Sequence, residues 1–264
     1  MNLTIIKIGG NVIDNESELK AFLQLFSSIA SPKLLVHGGG KIATELSKKL
    51  GITPLLVDGR RITDAETLKV VTMVYAGLVN KNIVAQLQAL NTNAIGICGA
   101  DGNCIPATKR ENKGIDYGFA GDIDFNKINV TYLQQLFNAN STPIVAPITH
   151  DTKGQLLNTN ADTIASSLAK ALSKLYKVQL IYCFEKQGVL SDANNDDSVI
   201  SKINSNTFAE LKQQGVISGG MIPKLDNAFD ALHAGVDSVI IGDAKQLLQL
   251  LQINNHAGTR ITLA

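Results

Sequence analysis

Residues 3–10 read Leu3-Thr4-Ile5-Ile6-Lys7-Ile8-Gly9-Gly10, and residues 34–40 read Leu34-Leu35-Val36-His37-Gly38-Gly39-Gly40. Each is a short apolar run closed by glycines. Helical spacing follows both. Leu19, Phe22, Leu23, Phe26 and Ile29 share one stripe of residues 16–30, and residues 41–50 read as a helix stopped by Gly51. Short strands that are apolar throughout and alternate with helices predict a mostly parallel sheet covered on both faces. The rhythm continues along the chain. A long helical stretch runs from 64 to about 90. Strands are predicted over 94–98, 143–148, 178–184 and 238–241, and helices over 161–172, 220–234 and 244–251.

Two segments break that rhythm. Residues 55–63 read as a small hairpin around Asp58-Gly59, and residues 101–124 are polar and rich in glycine and charge. Polar loops beside a parallel sheet serve as lids or peripheral hairpins. There is no internal repeat, low-complexity tract or linker, and Gly154-Gln155 reads as a turn.

Composition narrows the function. The chain has 264 residues, 45% of them hydrophobic, enough to bury a sizeable core. Lys and Arg total 24 against 23 Asp and Glu, so no whole-protein field steers nucleic acid or an anionic membrane. Cys98, Cys104 and Cys183 are odd in number and form no CxxC, which argues against a disulfide framework or structural zinc and fits a reducing cytoplasm. The N-terminus lacks signal-peptide character, and no apolar run approaches the ~18–20 residues of a membrane span. The expectation is a cytoplasmic protein with no nucleic-acid or membrane partner.

Five motifs can carry chemistry. Gly9-Gly10 at a strand end lets backbone N–H groups approach an anion with no Cβ in the way, and Lys7 supplies a point charge; a plain turn is the alternative. Gly38-Gly39-Gly40 opens a helix whose N-terminus favours a carboxylate or phosphate. Gly38 to Ala43 also fits GxGxxA, but its strand is the second, and Asp58 sits in a turn and not at the end of a following strand. No Gly-Lys-Ser/Thr occurs, so a Walker A loop is absent. In Asn158-Thr159-Asn160-Ala161-Asp162, Asn160 reads as an N-cap and Asp162 as a first-turn acid, a pattern that also suits a ligand site. Lys224, in Gly219-Gly220-Met221-Ile222-Pro223-Lys224, lies against the helix dipole and needs an anionic partner. Arg60 and Arg61 beside Gly59 form a solvated face or fork onto a carboxylate.

Together these segments resemble the amino acid kinase family. The likeness runs through IIKIGG, VHGGG, GRRITDAETLKVV, GADGN, GFAGDI, LLNTNADTIA, GGMIPKLDNA and GTRITLA, nearly the whole chain. It implies a three-layer αβα sandwich with a central, mainly parallel sheet, as one domain over 1–264. Residues of about 1–175 would bind an N-acylglutamate and about 176–264 the nucleotide. The VHGGG, Arg61 and Asn158 to Asp162 segments are most similar to members that phosphorylate the γ-carboxylate of N-acetyl-L-glutamate in arginine biosynthesis. The resemblance implies ATP with Mg2+ carried by the nucleotide, and no protein-held metal. Lys7 and Lys224 would neutralise the transferring phosphoryl, and Asp162 would orient both lysines. Gly9, Gly10 and Gly39 would hold phosphate and carboxylate oxygens. Gly39, Gly40, Arg61, Asn158 and Asn160 would hold the acceptor. Glu185, Lys186, Val216, Ile217 and Ser218 would hold the nucleotide, although Phe184-Glu185 departs from the family's usual Thr/Ser-Asp.

Chemistry agrees with that reading. A carboxylate with an ordinary pKa near ~4.3 is already ionised, so the reaction needs charge and positioning and no general base. A homodimer built on the helix from Asp64 is expected. The resemblance also implies insensitivity to arginine, because arginine-inhibited relatives carry an extra N-terminal helix and this chain opens on its first strand. The rival readings are a kinase of another N-acyl amino acid such as N-succinylglutamate, a Rossmann-type dehydrogenase, and a silent sensor that would not need Lys7, Asp162 and Lys224.

Overall fold

The computed structural model describes every residue except 31, 58, 113, 193, 220, 253–256 and 264. The expected turn at Asp58 and the helix start at Gly220 therefore lie outside the described residues.

The first half begins with β1 (Asn2–Ile8), the single-turn α1 (Gly10–Asp14), α2 (Glu16–Ser27), β2 (Lys33–His37) and α3 (Gly40–Lys49). A hairpin of β3 (Leu56–Val57) and β4 (Arg60–Arg61) leads into α4 (Ala65–Thr72). A π-helical turn, Met73–Val79, joins α4 to α5 (Asn80–Ala89), followed by β5 (Ala94–Ile97). The polar segment holds a second hairpin, β6 (Ala107–Lys109) with β7 (Gly121–Ile123). Next come α6 (Val130–Asn138), β8 (Thr142–Val145), β9 (Ile148–His150), β10 (Leu156–Asn158) and α7 (Ala161–Leu172). The last third holds β11 (Lys177–Phe184), β12 (Lys202–Ile203), α8 (Ser205–Gln213), α9 (Met221–His233), β13 (Ser238–Asp243), α10 (Leu247–Leu250) and β14 (Thr259–Ile261).

Eight strands form one sheet in the order β12-β14-β13-β11-β1-β2-β8-β5. Every pair is parallel except β13 with β14. Successive side chains of a strand point to opposite faces, and here both faces are buried. Leu3, Ile5, Leu34, Val36, Leu180 and Tyr182 face a core closed by α6, α7 and α9. Ile6, Ile8, Leu35, Ile181 and Cys183 face the core closed by α2, α4, α5 and α10. The predicted αβα sandwich is what forms.

The same alternation decides where the polar strand residues go. Lys7 shares the parity of Leu3 and Ile5, so it points toward α7 and α9. His37 shares the parity of Leu35, so it points toward the helical run Ala65–Ala89. That run spans 25 residues, and by length and composition it could cross a bilayer. Glu66, Lys69, Asn80 and Lys81 interrupt it, so it holds no continuous apolar stretch of that length. Val70, Val71, Val74, Val79, Ile83 and Leu87 of this helix are core residues against the sheet.

Several boundaries differ from expectation. The strand predicted over 143–148 is two strands, because the chain leaves the sheet at Ala146-Pro147 and proline cannot donate to a ladder. The helix predicted over 244–251 begins as a 3₁₀ turn, Ala244–Gln246. The helices α6 and α8 and the strand β14 had no predicted counterpart.

Lys33 closes α2, donating to the carbonyls of Phe26, Ser27 and Ile29 at 2.8 Å each. Above it Phe26 is fully buried and stacks on Phe22, with ring centroids 6.1 Å apart. Phe26→Ala is expected to lower unfolding free energy by about 3–5 kcal/mol, the usual loss for a buried aromatic truncated to a cavity. Urea denaturation measures it, and a loss below about 1 kcal/mol would show that this face of the core repacks freely.

Candidate active site

The strands β1 and β2 are adjacent and parallel, so their glycine turns emerge side by side at the carboxyl edge of the sheet. Open α/β sheets bind ligands outside that edge. Two neighbouring arrangements occupy it.

The first is a buried charge cluster. Lys7 ends β1, Asp162 sits in the first turn of α7, and Lys224 sits in the first turns of α9. Lys7 Nζ lies 2.6 Å from one Asp162 carboxylate oxygen and Lys224 Nζ lies 2.5 Å from the other. Lys7 and Asp162 are 8% and 9% exposed, so solvent screens the pair little. Burial alone would push the Asp162 carboxyl up, but the two ammonium groups outweigh it and hold the carboxyl down at about 2. For Lys7, burial pulls the ammonium pKa below its ordinary value. Asp162 opposes that shift and Lys224 adds to it. The cluster carries two positive charges on one negative charge, an electrostatic excess that suits an anion.

Local structure fixes Asp162. The Asn160 side chain accepts from the backbone N–H of Asp162 (2.8 Å) and Thr163 (3.1 Å), capping α7. The Tyr182 hydroxyl donates to the Asp162 backbone carbonyl at 3.3 Å. Ser166 Oγ donates to the Asn227 carbonyl at 3.1 Å, which ties α7 to α9. Asn160 is thus the cap the sequence suggested, and the acid after it is far more than a dipole partner. Lys224, which needed an anion, has one within the protein.

The second arrangement is a cavity of about 220 Å³ whose lining includes Gly38, Gly39, Gly40, Arg61, Asn158 and Asn160. Gly39 has φ +146°, and a Cβ there would meet the Tyr75 ring at 3.1 Å, so only glycine fits. No side chain caps α3, which leaves its first backbone N–H groups for a ligand. Arg61 Nη2 donates to the Gly40 carbonyl (2.9 Å) and Thr44 Oγ1 (2.7 Å). Its buried Nη1 makes no hydrogen bond among the described residues. A buried guanidinium nitrogen left open beside a cavity is a free donor that a ligand carboxylate can satisfy. Asn158 Nδ2 donates to Thr63 Oγ1 at 2.9 Å.

Arg60, Tyr75, Arg110 and Tyr117 complete much of the wall, and of these only Arg60 stands out in the sequence as a candidate ligand contact. Arg110 forks onto Asp122 across the β6–β7 hairpin, its Nε 3.0 Å from Oδ1, and lies over the Tyr117 ring at 5.5 Å. Single β-bridges from Gly118 to Thr63 and from Ala120 to Asn158 dock this hairpin segment on the cavity. GFAGDI, quoted from sequence without a role, was the available signal. Burial raises the Tyr75 phenol pKa, while the neighbouring Arg61 guanidinium lowers it.

Of the remaining residues named from sequence, Gly9 borders the charge cluster and the others join neither arrangement. The Gly9 N–H donates to the Cys183 carbonyl at 3.3 Å, so Gly9 offers close approach more than a free donor; a Cβ there would lie 4.0 Å from Lys7 Nζ. Gly10 opens α1. Glu185 is exposed and lines a separate cavity of about 400 Å³ with Phe22, Phe184, Asp243 and Lys245. Lys186 pairs with Asp196 at 2.6 Å. Ile217 is 2% exposed and packs into the core, between the half-buried Val216 and the exposed Ser218. Among the described residues, no group of three His, Cys, Asp or Glu side chains converges to hold a metal ion.

Residues 2–243 match the model of the amino acid kinase family. The chain is 58% identical over 260 residues to an acetylglutamate kinase of Cytophaga hutchinsonii, covering 98% of each. It is 56% identical over 259 residues to an acetylglutamate kinase of Phocaeicola vulgatus, again covering 98% of each. Among solved structures, a Streptococcus mutans protein superposes with a TM-score of 0.80 at 27% identity, covering 98% of both chains.

The charge cluster makes an acid-side prediction. The folded Asp162 carboxyl lies near 2, below its ordinary 3.8, so its contribution to stability is complete above about pH 4 and is lost as pH falls through about 2. Asp162→Asn is expected to be less stable at pH 7, because the buried Lys7 and the half-buried Lys224 lose their counter-charge. Its stability is also expected to fall less steeply than wild type between pH 4 and pH 2. Urea midpoints across that window read both effects, and identical slopes would show that the carboxyl titrates normally.

Proposed function

The chain belongs to the amino acid kinase family, and on that premise we propose that it transfers the γ-phosphoryl group of ATP to the γ-carboxylate of N-acetyl-L-glutamate, a step of arginine biosynthesis. Near-full-length identity to acetylglutamate kinases supports the acceptor. The structural observation that carries the reading is Asp162 held between Lys7 and Lys224 beside the glycine-lined cavity.

The acceptor is a dianion. Its α-carboxylate pairs with Arg61 through the open Nη1, with Asn158 and Asn160 alongside. Its γ-carboxylate lies toward Gly39, Gly40 and the first backbone N–H groups of α3. The nucleophile is already ionised at neutral pH, so no residue must remove a proton. The obstacle is repulsion between an attacking carboxylate and a phosphoryl group that is itself anionic. Lys7 and Lys224 offset that repulsion at fixed positions, and preorganised charge stabilises the transition state without reorganisation. Asp162 keeps the two ammonium groups aimed at one point while Gly9 and Gly10 keep side chains out of the way. A magnesium ion brought in by the nucleotide would neutralise further phosphate charge there.

We assign the nucleotide to residues of about 176–264 and the acceptor to about 1–175. Glu185, Lys186 and the segment from Val216 to Ser218 are the nucleotide contacts in this assignment, with Ile217 contributing backbone because its side chain is buried. Met73 and Leu78, each 53% exposed on the helical run Ala65–Ala89, support a homodimer through that helix. We assign the enzyme to the cytoplasm.

Turnover with ATP and Mg2+, read by ADP release and by hydroxylamine trapping of the acyl phosphate, tests the reaction. N-acetyl-L-glutamate is expected to be the preferred acceptor over N-succinyl-L-glutamate, and preference for the latter would move the assignment to that sibling reaction. Lys7→Ala and Lys224→Ala are each expected to lower kcat by ~10²-fold or more with the fold intact by circular dichroism. Near-normal kcat in both would defeat the proposed roles.

A further inference from the structure

His37 has no part in the chemistry above, yet its surroundings are unusually specific. It closes β2 immediately before Gly38, and it is fully buried on the side of the sheet covered by Ala65–Ala89. Its Nδ1 lies 2.8 Å from the Gly38 carbonyl oxygen. A carbonyl only accepts, so Nδ1 carries the proton. The other nitrogen, Nε2, then has a free lone pair, and Asn80 Nδ2 donates to it at 3.1 Å.

Asn80 is itself fixed. It is 1% exposed and sits where the π-helical turn Met73–Val79 gives way to α5. Its Nδ2 also donates to the Ile144 carbonyl on β8 at 2.9 Å. Its Oδ1 accepts from Lys81 Nζ at 3.2 Å. Across from it Gly96 leaves the necessary room, since a Cβ there would lie 1.9 Å from Asn80 Oδ1. The same π-helical turn supplies Tyr75 and Val79, on which Gly39 rests. A π-bulge re-aims side chains within a helix and often sits at functional sites. Here it brings Tyr75, Val79 and Asn80 under one tripeptide turn.

We propose that His37, held by Asn80 as the Nδ1–H tautomer of a neutral imidazole, is a positioning residue that sets the Gly38-Gly39-Gly40 turn for the acceptor. The imidazole works as a two-ended spacer. It donates a hydrogen bond to the Gly38 carbonyl and accepts one from Asn80, so the carbonyl is held inward and the following N–H groups turn outward to the cavity. Burial favours that neutral form, holding the ring pKa down at about 4, and the nearby Lys81 ammonium acts in the same direction. The inference rests on reading this turn as the acceptor cradle.

Two experiments test it. In kinetics, His37→Leu is expected to raise the KM for N-acetyl-L-glutamate about tenfold or more, the scale of one lost hydrogen bond at a fixed site. The KM for ATP should stay within about twofold. His37→Asn, whose amide nitrogen can overlay Nδ1 and still donate to Gly38, is expected to recover most of the acceptor affinity. Equal KM rises for both substrates, or no rescue by Asn, would reduce His37 to a packing residue and overturn the proposal. The second measurement needs no turnover and no variant that must fold well. Nitrogen-15 NMR of the unliganded wild-type ring is expected to show Nδ1 protonated and Nε2 bare. An Nε2–H tautomer would overturn the tether. A wild-type enzyme that ignores N-acetyl-L-glutamate would defeat the proposed function and leave the tautomer result standing.

Discussion

Two ammonium groups and one carboxylate, two of the three buried and Lys224 half-buried, form the interaction around which the carboxyl edge of this sheet is arranged. Lys7 and Lys224 repel each other, and removal from solvent disfavours every charge in the group. Asp162 makes the arrangement tenable by standing within ion-pair distance of both. It cannot neutralise both. The residual positive charge is what the proposed function uses, since an incoming phosphoryl group would complete what Asp162 begins. The cluster also recruits three separate elements, β1, α7 and α9, so the fold must be assembled before the site exists. Small residues make this possible. Ala165, Ser166 and Ala169 are buried along α7 and let the helix approach the sheet and α9 closely.

Strand parity divides the labour. Lys7 and His37 lie near the ends of neighbouring parallel strands, yet they face opposite layers. Lys7 turns to the face where α7 and α9 supply charge. His37 turns to the face where Asn80 supplies a neutral hydrogen bond. Shifting either strand by one residue would exchange these environments, burying a lysine without an anion and an imidazole beside a cation. The long apolar stretches of β1 and β2 hold the register against such a slip, since both faces of both strands are core.

Much of this was legible in the amino-acid sequence, for reasons that differ by residue. The helix Ala161–Leu172 was read to its ends because Asn160 caps it with its own side chain and the apolar spacing is regular. Lys224 was legible as an anomaly, a cation against a helix dipole. The helices α6 and α8 were passed over although Asn129 and Asn204 cap them in the same manner. Their apolar stripes are short, and α8 buries no residue fully. Arg110, Tyr117 and Tyr75 reach the cavity through a hairpin and a π-helical turn, and neither device has a period that sequence spacing reveals. Glu185 and Lys186 were assigned by alignment with a motif that the chain itself alters. The structure gives Lys186 a local partner in Asp196 and turns Glu185 to a different cavity.

The five residues from Asn158 to Asp162 bind these parts into one device. Asn158 ends β10 and lines the cavity while gripping Thr63. Thr159 is buried and meets the Thr149 hydroxyl at 2.7 Å, which locks the chain between β9 and β10. Asn160 lines the cavity and caps the helix that carries Asp162. The distance between the glycine-lined cavity and the charge cluster is therefore set by covalent geometry and a helix cap, with no flexible loop between them. Transfer from one anion to another gains most from such rigidity, since misplacement by about an ångström can cost about 10² in rate. A capped helix start is among the stiffest local structures a chain can build, and in the proposed function it would fix the spacing between acceptor and phosphoryl group.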